Sequence, residues 1–139
     1  MPRANELNPE VSEKSVGWHI DHSLRVISGI CQQLVKSDPA AYRPKFSFGR
    51  EYILLTGQMP RGRGRAPKAV VAPGEVTAED LRQQMELCQQ ALGQIDGLPP
   101  NSHFFHPYFG MLNLKTTHRF LKIHTRHHLK IIRDILKKG

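Results

Sequence analysis

In three long segments of this chain, 15–36, 77–97 and 113–136, apolar side chains recur at three- and four-residue steps. No stretch shows a convincing two-residue alternation of the kind a half-buried strand requires. The stripes are Trp18, Val26, Ile27, Ile30, Leu34 and Val35; then Leu81, Met85, Cys88, Leu92 and Ile95; then Leu114, Leu121, Ile132, Ile135 and Leu136. A helix with one apolar face must bury it against another element. Several such helices therefore predict an all-α protein, a helical bundle. At 139 residues the chain is the size of one domain, 1–139, able to bury about two-thirds of its unfolded surface without staples.

The segment boundaries carry ordinary capping chemistry. Ser15 precedes the first helix and the Ser-Asp-Pro of 37–39 ends it, while Thr77 and Asp80 match a capping box. Gly97 and the Pro99-Pro100 pair stop the third helix, and Asn113 is placed to cap the last. "KFSFGREYILLTG" (45–57) reads as a short second helix, 101–112 as a turn segment, 1–14 as an irregular lead-in, and 58–76 as a long basic loop.

Cys31 and Cys88 fall among apolar residues of predicted helices and are expected to be buried thiols in a reducing compartment. Neither a signal-like N-terminus nor a window of about 20 apolar residues is present, so a cytoplasmic protein outside the membrane is expected. The net charge of +8 concentrates partly in "PRGRGRAPK" (60–68), where Arg61, Arg63, Arg65 and Lys68 could contact phosphates without reading sequence. One alternative is thus a non-enzymatic module that holds nucleic acid or another anionic partner through that loop. The loop lacks stacking aromatics, and a solvated connection explains it as simply. An exposed bundle face would support a homodimer.

Four of the eight histidines crowd into "HRFLKIHTRHHLKII" (118–132). At roughly 100° per residue, His128 falls on the apolar face and His124 about 40° from it, with His127 about another 60° toward the polar side and His118 on the apolar flank. An i,i+4 pair of imidazoles can reach one ion, although two buried, hydrogen-bonded histidines would give the same pattern. A third ligand must come from another helix. "WHIDHSL" in the first offers His19 and His22, and periodicity slightly prefers His19.

Taken together, "SVGWHIDHSLRVI", "HPYFG" (106–110) and "HTRHHLK" resemble the DinB-like, or YfiT-like, superfamily of metal-dependent proteins, over about residues 14–132. The resemblance implies an antiparallel four-helix bundle, DinB-like, holding a divalent metal through His22, His124 and His128. It also implies a small-molecule or thiol substrate and transferase or hydrolase chemistry. Three imidazoles suit Zn, Ni, Fe or Mn. His19, His106, Tyr108 and His127 are candidates for orienting the ligands or lining a pocket, and Glu51 or Glu86 for adding a carboxylate, whereas Asp21 points about 100° away from His22. For "HPYFG" the simpler alternative is that it shapes the turn into the last helix.

Overall fold

The computed structural model describes residues 3–61 and 74–137; Arg63, Arg65 and Lys68 of the basic loop lie outside these. Helix α1 spans Val16–Lys36, α2 Phe48–Thr56, α3 Ala78–Gln94 and α4 Leu114–Leu136, with a 3-10 turn at Pro39–Ala41. Among the described residues the protein is mostly helical, as the apolar spacing requires. No helix among them is long and apolar enough to cross a membrane.

Every helix starts on a side-chain cap: Ser15 for α1, Ser47 for α2, Thr77 with the reciprocal Asp80 bond for α3, and Asn113 for α4. Each such cap is worth about 1 kcal/mol. At α1 the lead-in completes the job. The N–H of Val16 donates to the Glu6 carbonyl at 3.0 Å, that of Gly17 to the Ala4 carbonyl at 2.7 Å, and that of Trp18 to Ser15 Oγ at 3.2 Å. Residues 3–15 are therefore docked on the helix whose unpaired donors they satisfy.

Helix α1 is the centre of the packing. His19 lies beside His128 and His22 beside His124, so α4 runs antiparallel to α1. Helix α3 follows α1 in the same direction: Asp80 at its start feels the charge of Arg25, and further along Cys31 feels Cys88. The long 57–77 connection permits this crossing. The main core joins Ile30, Cys31 and Leu34 of α1 to Ile53 of α2, Ile95 beyond α3, and Phe120 of α4. A smaller cluster joins Val16 to Ile131, Ile132 and Ile135 at the other end. Both cysteines are buried and free.

Three local expectations change. The segment 101–112 is not merely a turn: β1 (His103–His106) pairs antiparallel with β2 (Gly110–Asn113), with His103 opposite Asn113 and His106 opposite Gly110. Pairing puts Phe104 and Leu112 side by side in the core, a gain that a four-residue segment cannot advertise by period alone. On α3, Met85 and Leu92 are exposed and Ala91 is buried, because the helix packs mainly along α1 and needs a narrower stripe. On α4 the buried face runs through Thr117, Phe120, His124 and Ile131, so His118 is exposed rather than on the apolar flank.

Gly17 has a packing reason to be glycine, since an added Cβ would stand 3.0 Å from the Ala4 carbonyl oxygen. At Gly93 of α3, nothing lies within 4 Å of such an atom. Gly93→Ala should therefore stabilise the protein by about 0.5–1 kcal/mol in urea unfolding, the usual helix-interior gain, while Gly17→Ala gains nothing because it presses on the lead-in.

Candidate metal centre

Helical phase on α1 and α4 turns four imidazoles toward each other. His19 is 3 % exposed, His22 6 %, and His124 and His128 8 % each. Apolar clusters lie above and below them, with Val26 and Leu121 on one side and Val16 and Ile131 on the other. One nitrogen from each of His22, His124 and His128 comes within 4.8 Å of the others, and the three residues could hold a metal ion. Ring centroids are 5.3 Å apart for His22 and His124, 4.8 Å for His22 and His128, and 4.6 Å for His124 and His128.

His19, the residue preferred by periodicity, is buried but stands behind this trio. Its Nδ1 lies 2.9 Å from His128 Nδ1 and its Nε2 3.0 Å from Ser12 Oγ. Trp18 stacks on His22 at 4.8 Å with planes 12° apart, and Phe120 on His124 at 5.9 Å and 28°. These rings hold the imidazoles in place and keep water off their faces. His127 is half-buried at the rim, edge-on to His128 at 5.2 Å.

Burial keeps His19, His124 and His128 neutral. It lowers His19 to about 4, His124 to about 3 and His128 to about 2, each further depressed by neighbouring imidazoles. His127 is lowered too, by burial and then by Arg61 and Lys130. A neutral imidazole is the form that ligates a metal. The buried Nδ1 of His124 has no hydrogen-bond partner among the described residues, and coordination through it would supply one. The donor set therefore fits a divalent ion of the imidazole-preferring class.

The other candidates fall outside the trio. His106 accepts the backbone N–H groups of Tyr108 at 3.1 Å and Phe109 at 3.3 Å on its Nδ1, and stacks on Phe109 at 4.2 Å. It thus shapes the hairpin turn, where Gly110 takes φ +72°. Phe120 stands between it and His124, in ring contact with both. Tyr108 is 72 % exposed and meets His106 at 5.8 Å. His103 lies in β1, its Nδ1 at 2.9 Å from the Asn101 carbonyl. No carboxylate is delivered by the two candidates: Glu51 pairs with Arg50 at 3.0 Å and Glu86 is exposed. Asp21 is fully buried but pairs with Arg25 at 2.7 Å. Arg61 pairs with Asp134 of α4 at 2.8 Å.

Sequence reasoning missed three members of the surroundings. Phe120 precedes His124 by one helical turn, as Trp18 precedes His22, so i,i+4 spacing offered a signal for both. For Ser12, in a segment without periodicity, there was none.

Neutral burial has a consequence for stability. His19, His124 and His128 take up protons near pH 6.5 once unfolded but resist protonation when folded, so unfolding of the metal-free protein binds protons below that pH. Stability is fully present above about pH 6.5 and is lost as pH falls from there toward about 4 and below. The urea midpoint of metal-free protein should hold steady between pH 8 and 7 and drop between 6.5 and 5, above the carboxylate range; a flat profile there contradicts the assignment.

A family model of the DinB superfamily matches residues 6–132, a span that includes all four clustered histidines and the hairpin. No curated protein and no solved structure matches the chain at a significant level. With nearly its whole length covered and its helices and histidines arranged as described, the chain belongs to the DinB superfamily.

Proposed function

We propose that the protein binds one divalent metal ion through His22, His124 and His128 and acts as a metal-dependent transferase or hydrolase on a small molecule or thiol. The observation that carries this is the convergence of three buried imidazoles from two antiparallel helices. Burying that many polar rings among apolar residues is costly unless their nitrogens find partners, and an ion takes one lone pair from each. Three neutral nitrogen donors suit Zn, Ni, Fe or Mn, and they match the open catalytic pattern rather than the four-ligand structural one.

When bound, the ion would supply Lewis acidity at a coordination position open to substrate. The chain's own residues set the surroundings. Trp18 and Phe120 stack on the ligands and exclude water from their faces, which fixes ring orientation. His127 sits at the rim, half-buried and next to His128, where a substrate group could meet it. The trio includes no carboxylate, so the protein leaves the ion's charge uncompensated and favours an anionic or readily deprotonated ligand there.

Metal analysis of protein purified without a histidine tag should give about one ion per chain. His22→Ala and His128→Ala should each abolish it, while Tyr108→Ala and His103→Ala leave it unchanged. Retention of metal by both ligand variants would sink the proposal.

A further inference from the structure

We propose that Ser12 and His19 form an outer hydrogen-bonded arm that holds the proton of His128 on Nδ1 and leaves its Nε2 free for the ion, making both of them positioning residues of the metal centre. The inference rests on the metal reading above and extends it into the lead-in.

Two ring nitrogens 2.9 Å apart share one proton. In the first arrangement His128 Nδ1–H donates to His19 Nδ1. His19 then carries its own proton on Nε2 and donates it to Ser12 Oγ at 3.0 Å, and Ser12 Oγ also accepts the backbone N–H of Lys14 at 3.1 Å. Each ring proton in this chain has an acceptor, and His128 Nε2 keeps a free lone pair for the ion. In the opposite arrangement His19 Nδ1–H donates to His128 Nδ1, the Ser12 hydroxyl donates to His19 Nε2, and His128 carries its proton on Nε2. That ring then has no lone pair left for a metal.

Both arrangements are neutral, and no proton is gained or lost between them. The Ser12 hydroxyl donates in one and accepts in the other, so the same three residues serve both. A bound ion selects the first, and by linkage an arm that favours the first strengthens binding. Ser12 is in position because the lead-in is fastened to the first turn of α1 by the bonds from Val16 to Glu6 and from Gly17 to Ala4. Through it the N-terminal segment becomes part of the metal centre.

The experiment is zinc affinity by chelator competition, read together with the ¹⁵N spectrum of the histidine rings. His19→Leu should weaken zinc binding about 10–100-fold, as loss of such a partner typically does. His19→Asn, whose side-chain oxygen can replace the accepting nitrogen, should recover most of it; Ser12→Ala should cost about two- to tenfold, the worth of one hydrogen bond. In the zinc-loaded protein His128 should show a protonated Nδ1 and a coordinated Nε2. The proposal is overturned if folded His19→Leu binds zinc like the wild type, or if His128 coordinates through Nδ1. Should His19→Leu not fold, wild-type affinity in Ser12→Ala overturns it instead. If the wild type binds no zinc at all, the metal reading fails first; if His128→Ala loses binding while His19→Leu keeps it, the arm alone fails.

Discussion

The structure turns on the burial of four imidazoles between α1 and α4. Each ring brings two nitrogens into a layer bounded above and below by aliphatic side chains, which offer a nitrogen no hydrogen bond. The protein answers in two ways. His19 and His128 satisfy one nitrogen of each other, and the remaining donors of His22, His124 and His128 are gathered where one cation can meet them. Burial keeps His19, His124 and His128 neutral, which preserves a lone pair on each.

The remaining elements support that layer. The larger apolar core, built by α1, α2, α4 and the hairpin, anchors one end of the α1 and α4 pair, and the small Val16 and Ile131 cluster the other. Held at both ends, the two helices cannot slide past each other, so the histidine register is fixed. The hairpin adds Phe104 and Leu112 to the core and, through Phe109 and His106, an aromatic buttress behind Phe120 and His124. The lead-in closes the opposite side by capping α1 and presenting Ser12 to His19.

Much of this was legible from the chain. Caps at Ser15, Thr77 and Asn113 fall where the sequence placed them, because capping is a local bargain between one side chain and the next turn's N–H groups. The inward phase of His124 and His128, and the rim position of His127, follow from helical geometry alone. Less legible was anything depending on which neighbour covers a face. Met85 and Leu92 fit the stripe of α3 but face outward, since α1 covers only one side of that helix. His118 was misplaced for the same reason, as the hairpin and α1 together set which side of α4 is buried. The hairpin stayed hidden because its pairing partner, not its period, makes Phe104 a core residue.

The sequence by itself determined the helical class, the helix starts and the pairing of His124 with His128, all of which arise from spacing within one segment. It left His19 and His22 unresolved, because residues three apart share a helical face and differ only in how that face meets α4. Tertiary structure decided between their positions: the antiparallel crossing brings His22 to the two α4 histidines and sets His19 behind His128, within reach of Ser12. That choice depends on the angle and depth at which two helices pack, and on where an irregular segment is tied down. Neither quantity is carried by any single stretch of residues.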